Sequence, residues 1–152
     1  MIADTVDLAE TMLDMGRRAR AASRKLGQMT PADRTRGLQA VAAAIRASAS
    51  KVLAANAQDM DAAEAKGLDA AMLDRLALDA ARLEGIASSV EAVAGLPDPI
   101  GKELARWERP NGLDIARIAV PLGVIGIIYE SRPNVTADAG ALCLRSGNAA
   151  IL

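Results

Sequence analysis

The sequence predicts an α/β fold in which a run of N-terminal helices leads through a β-hairpin into a strand–helix–strand unit. Three observations predict it. Apolar residues recur at helical spacing as far as about Leu96. Pro97-Asp98-Pro99 then breaks the pattern, and Pro110-Asn111-Gly112 marks a turn between two strand-like runs. Beyond the turn lies Val124-Ile125-Gly126-Ile127-Ile128, a short unbroken apolar segment rich in β-branched residues. Such a segment suits a strand buried on both faces of a parallel sheet.

In the first helix Val6, Leu8, Met12, Leu13 and Met15 fall at near-helical spacing. Arg17, Arg18 and Arg20 follow where a helix end favours cations, and they read as a solvated face. Thr30-Pro31-Ala32-Asp33 is a helix start: Thr30 caps, Pro31 fits the first turn, and Asp33 meets the positive helix end. Leu38, Val41, Ala42 and Ile45 then share one face of the second helix. Ser50 or Asn56 caps or interrupts the next helix, which runs towards Lys66 and stops at Gly67. Asp69 and Asp79 cap two further helices, the last reaching Val93 and ending at Gly95.

The hairpin strands are Leu104 to Glu108 and Leu113 to Val120, with Ile115 and Arg117 alternating against Ala116 and Ile118. After the apolar strand come the loop Tyr129 to Asn134 and a helical stretch from Val135 to Arg145. Ser146-Gly147-Asn148 ends that helix, with Gly147 suited to the left-handed conformation. Ala149-Ala150-Ile151-Leu152 begins another apolar strand.

A length of 152 residues fits one domain or part of one, and 51% apolar content supports a buried core. That core has no Phe, one Trp and one Tyr, and much Ala. Each missing CH₂ forgoes about 0.8 kcal/mol of transfer free energy, so the helices must pack closely or use a partner surface. The net charge is −1 without a basic stripe, which argues against nucleic acid. With no histidine and one cysteine, neither a zinc cluster nor a Cys–His or Ser–His pair can be built, and no metal is expected. A lone cysteine suits a reducing compartment. Met1 to Glu10 lacks a signal pattern, and no apolar run approaches the roughly 20 residues that span a bilayer. The expected place is the cytoplasm, away from membranes.

One stretch is recognisable. Val120-Pro121-Leu122-Gly123-Val124-Ile125-Gly126-Ile127-Ile128-Tyr129-Glu130-Ser131-Arg132-Pro133-Asn134-Val135-Thr136, with Ala141 to Leu152, resembles the signature of the gamma-glutamyl phosphate reductase family. The N-terminal helices and the Trp107 to Leu113 hairpin are also similar, so the resemblance covers essentially the whole chain. Ordinary aldehyde dehydrogenases of the same superfamily carry an aromatic-Asn segment where this chain has Glu130-Ser131-Arg132-Pro133.

The resemblance implies an N-terminal, NADP-binding part (1–152) of an aldehyde-dehydrogenase-like enzyme, incomplete in its first β-α-β unit. The hairpin at about 104–120 would serve oligomerisation, and the catalytic domain with its nucleophilic cysteine would lie outside the chain. The implied reaction is NADPH-dependent reduction of gamma-glutamyl phosphate to glutamate 5-semialdehyde with loss of phosphate, in proline biosynthesis. A homo-oligomer is implied, and the chain by itself is expected to be inactive. Two other classes stay open: a non-catalytic interaction module, and an aldehyde dehydrogenase acting on a free aldehyde.

Residue by residue, the loop at the carboxyl end of the apolar strand is the candidate ligand site, because open α/β sheets bind ligands there. Ser131, Arg132 and Asn134 are the substrate- or phosphate-binding candidates, since a helix start and a guanidinium both favour anions. Tyr129 and Glu130 are the cofactor-binding candidates for NADPH. The alternative is that Asn134 merely caps the helix and Arg132 makes a surface ion pair. Gly123 and Gly126 form no G-x-G-x-x-G fingerprint and read as points of close backbone packing. Cys143, flanked by Leu142 and Leu144 in mid-helix, reads as a core residue, leaving no catalytic residue in this chain.

Overall fold

The computed structural model describes residues 7–130 and 132–152, so Val6 and Ser131 lie outside the described residues. Five helices come first: α1 (Leu8–Gln28), α2 (Pro31–Ala47), α3 (Ala49–Ala65), α4 (Ala70–Leu76) and α5 (Ala80–Ala94). An antiparallel hairpin of β1 (Glu103–Glu108) and β2 (Asp114–Ile118) follows. The chain then forms β3 (Val124–Gly126), α6 (Pro133–Arg145) and β4 (Ala149–Ile151), a parallel β-α-β unit. None of the described helices is long and apolar enough to cross a membrane.

Side-chain caps set most helix starts. Asp7 accepts from the Ala9 amide at 2.9 Å, and Thr30 from the Asp33 amide at 3.1 Å. Asp69 and Asp79 cap α4 and α5 as their positions predict, at 2.8 and 2.6 Å. The α2–α3 junction corrects the sequence reading. Ser48 alone separates the two helices, and both Ser50 and Asn56 lie within α3. Asn56 is buried there, donating to the Leu76 carbonyl at 2.9 Å and accepting from the Leu78 amide at 2.7 Å. A residue expected to interrupt a helix instead anchors the α4–α5 connector.

The core lies between α2, α5 and α6. Leu38, Ala42, Ala87 and Val90 are wholly buried, joined by Ala94 and Ala141. Small side chains at these positions let the helix backbones approach closely, which offsets the missing aromatic bulk. Ile45 packs against this cluster, whereas Val41, at the margin of the stripe, is 41% exposed. The apolar positions of α1 differ more: Leu8, Met12 and Leu13 are exposed, and Ala19 is the buried residue of that helix.

Two buried arginines hold the connector from which the hairpin emerges. Arg34 on α2 donates to the Met29 carbonyl and to Asp98, both at 2.5 Å. Arg145 on α6 donates to Thr35 at 2.8 Å and to the Leu96 carbonyl. The bonds to Asp98, Thr35 and Leu96 each span 49 residues or more, so no local pattern announces them.

The hairpin pairs Trp107 with Ile115 and Arg106 with Ala116, and Gly112 turns it at φ +84°. Arg106 bonds Glu103 on its own strand and Asp114 across the pair. The expected alternation is weak, since most side chains of both strands are exposed. The apolar strand is also shorter than its sequence predicts: β3 ends at Gly126, and Ile128 is fully exposed. Burial on both faces is not met. Among the described residues β3 has β4 as its only strand neighbour, which leaves its other edge open.

Gly123 and Gly126 do not mark close packing. A Cβ at either would meet nothing within 4 Å, and what Gly123 supplies is a backbone at φ +116°. The tight glycine is Gly147, at φ +73°, where a Cβ would stand 2.6 Å from Ile100.

Candidate anion-binding site

The β3–α6 loop delivers Arg132 and Asn134 to the start of a helix that no side chain caps. Pro133 takes the first helical position, as its missing N–H allows, and Arg132 occupies the cap position at φ −139°, ψ 87°. The alternative reading of Asn134 is thereby corrected. It lies inside the first turn and donates its amide to Asp138 at 3.2 Å, one turn along. Asp138 in turn accepts from Ser89 of α5 at 2.8 Å, tying the front of α6 to the helical core. Arg132 makes no ion pair among the described residues and is exposed to solvent.

Arg132, Pro133 and Asn134 form one wall of a cleft of about 340 Å³. The opposite wall comes from the end of α4 and the start of α5: Asp74, Arg75, Leu78 and Arg82. Three arginines therefore line one cleft in a chain of nearly neutral charge. Arg82 is already engaged, pairing with Asp74 at 2.6 Å and donating to the Ala77 carbonyl at 2.9 Å. That pairing holds the Arg82 guanidinium further above its ordinary pKa. An anion entering the cleft meets charged donors and a helix start, the combination that favours phosphate and carboxylate groups.

The structure separates the two sets of predicted residues. Arg132 and Asn134 line the cleft, while Tyr129 and Glu130 do not. Tyr129 turns back on α6, its hydroxyl 2.5 Å from that of Thr136, and Glu130 is exposed. Sequence reasoning missed Arg75 and Arg82. The signal within reach was the placing of Arg75 in the last turn of α4 and Arg82 in the first turn after the Asp79 cap.

Cys143 is buried in mid-α6, and burial pushes its thiol above the ordinary value. A raised pKa disfavours the thiolate, the form that attacks carbonyl and phosphate esters. Among the described residues no group of three or more acidic, cysteine or histidine side chains forms a metal site.

No family model matches the chain. Gamma-glutamyl phosphate reductase of Hyphomonas neptunium is 80% identical over 145 residues, 95% of this chain and 34% of that protein. The same enzyme of Caulobacter vibrioides is 63% identical over 141 residues, 93% of this chain and 34% of that protein. The chain matches the gamma-glutamyl phosphate reductases. It spans about a third of their length. Solved structures agree, and they carry the α/β architecture expected from sequence. The gamma-glutamyl phosphate reductase of Thermotoga maritima aligns with a TM-score of 0.88 at 37% identity, covering 91% of this chain and 34% of that one. That of Saccharomyces cerevisiae gives 0.86 at 34% identity, covering 91% and 35%.

Proposed function

We propose that this chain contributes the anion-binding front of an NADPH-dependent reductase that converts gamma-glutamyl phosphate to glutamate 5-semialdehyde and phosphate, in proline biosynthesis. The observation that carries this reading is the cleft at the start of α6, where Arg132 and Asn134 face Arg75 and Arg82. The relatives of matching sequence and fold are named for that acyl phosphate. A cationic cleft favours a phosphorylated substrate over a free, uncharged aldehyde.

In this reading Ser131, Arg132 and Asn134 hold the anionic substrate, and Tyr129 and Glu130 border the cofactor. A bound nicotinamide cofactor supplies the hydride. The thiolate that displaces phosphate from the acyl carbon comes, in this reading, from outside this chain, since Cys143 is buried in mid-α6 and burial disfavours its thiolate. Arg132 stabilises the charge that builds on the departing phosphate, as a fixed guanidinium does without reorganising. A cytoplasmic location goes with this chemistry. The exposed hairpin, with Leu104, Trp107 and Leu113 uncovered, serves a homo-oligomer in the same reading.

Arg132→Ala in the full-length enzyme is expected to lower kcat/KM for gamma-glutamyl phosphate by about ten- to a hundredfold, the cost of one charge-assisted hydrogen bond. An unchanged kcat/KM contradicts the assignment. Cys143→Ala serves as the control and is expected to leave turnover intact. For the hairpin, removal of Glu108 to Leu113 is expected to move the enzyme to a smaller species by light scattering. An unchanged mass counts against that role.

A further inference from the structure

Resting on the substrate reading above, the geometry points to Arg75 as a second recognition residue, one that binds the α-carboxylate of the glutamyl group. The charges in the cleft sort themselves. Asp74 and Arg82 satisfy each other at 2.6 Å, and Arg82 also donates to the carbonyls of Asp74 and Ala77 at 2.5 and 2.9 Å. Arg75 and Arg132 remain, on opposite walls, and neither has an ion-pair partner among the described residues. Two arginines that line one cleft from separate elements, neither with an ion-pair partner among the described residues, fit a ligand with an anion at each end. Gamma-glutamyl phosphate is such a molecule, with an acyl phosphate at one end and an amino-acid carboxylate at the other. A ligand with one anionic end would leave one of the two walls without a partner.

The walls also differ in how they are held. Arg132 belongs to the loop that follows the strand, where the reacting end of a substrate belongs in an open α/β sheet. Arg75 sits in the last turn of α4, a helix kept in place by buried Asn56, whose amide grips Leu76 and Leu78. The Asp74–Arg82 pair closes the same connector. Among the described residues Arg75 is thus a cation without an ion-pair partner, on a fixed support away from the α6 start. That arrangement suits the non-reacting end of the substrate. The neighbouring Asp74 carboxylate, paired with Arg82, lines the same cleft.

Kinetics of the reverse reaction in the full-length enzyme separate the two ends, because there the semialdehyde and inorganic phosphate are independent substrates. Glutamate 5-semialdehyde, phosphate and NADP yield gamma-glutamyl phosphate, NADPH and a proton. Arg75→Gln is expected to raise KM for glutamate 5-semialdehyde roughly tenfold or more while leaving KM for phosphate unchanged. Arg75→Lys should recover part of that loss, since it retains the charge. With 4-aminobutanal, which has the same chain without the carboxylate, the variant and the parent should perform alike. An unchanged KM for the semialdehyde overturns the proposal, and so does a rise confined to phosphate or an equal defect with 4-aminobutanal. Arg132→Gln, run beside it, should raise KM for phosphate instead. If Arg132→Gln changes nothing while Arg75→Gln raises the semialdehyde KM, the anion-site reading of Arg132 fails and the assignment of Arg75 stands.

Discussion

The helical core and the hairpin are built from the same alphabet of apolar residues and treat it in opposite ways. Between α2, α5 and α6 the buried positions are Leu38, Ala42, Ala87, Val90, Ala94 and Ala141, and of the large apolar side chains on these helices only Val41 and Leu142 are exposed. Across β1 and β2, Leu104, Trp107, Leu113 and Ile118 are between 41% and 55% exposed. One region satisfies its apolar surface from within. The other holds its shape through the ladder and through Arg106, which bonds Glu103 and Asp114 on the solvent side. A two-stranded ribbon with both faces uncovered is marginal by itself, so its apolar side chains are organised for something other than this chain's own core.

The sharpest way to break this contrast is to delete equal amounts of side chain in each region. Leu38→Ala, in the core, is expected to destabilise the protein by about 2–5 kcal/mol. Leu104→Ala, on the hairpin, is expected to stay within about 0.5 kcal/mol for the unassembled chain. Urea unfolding followed by circular dichroism measures both. Equal losses would erase the distinction.

Glycine substitution sharpens the same contrast with smaller effects. Gly112 and Gly147 share a left-handed backbone, at φ +84° and +73°, so alanine strains each by about 1–2 kcal/mol. Gly147 carries a further penalty, since its Cβ would stand 2.6 Å from Ile100 and 3.0 Å from Pro121, whereas Gly112 faces open space. Gly147→Ala is therefore expected to lower the melting temperature clearly more than Gly112→Ala. The reverse order would mean that the α6–β4 corner is looser than the structure shows.

Local rules carried the sequence reading a long way. The caps at Thr30, Asp69 and Asp79, the hairpin turn and Gly147 all rest on contacts a few residues apart, and each stands where its pattern predicts. What stayed hidden needs long-range partners. Asn56 reads as a helix breaker until the α4–α5 connector, some twenty residues on, closes over it. The burial of Arg34 and Arg145 depends on Asp98 and the Leu96 carbonyl, partners far along the chain that no sequence pattern ties to them. Exposure was the least legible property. The β-branched run at Val124 to Ile128 forecasts a buried strand, but burial depends on neighbours, and among the described residues β3 has one. For the site, Arg132 and Asn134 were legible from their place at a strand-to-helix junction. Arg75 and Arg82 were not, because only the tertiary fold carries α4 and α5 to the opposite wall.

Ligand-dependent hydrogen exchange tests the central claim, that the helical wall and the β3–α6 loop together form the anion site, more directly than any single variant. The full-length enzyme would be compared with and without saturating inorganic phosphate, and protection read by mass spectrometry. Slower exchange is expected in peptides covering residues 132–138 and 74–82, with no change across 103–118 in the hairpin. Protection that spares both walls of the cleft, or that falls on the hairpin instead, would contradict the account.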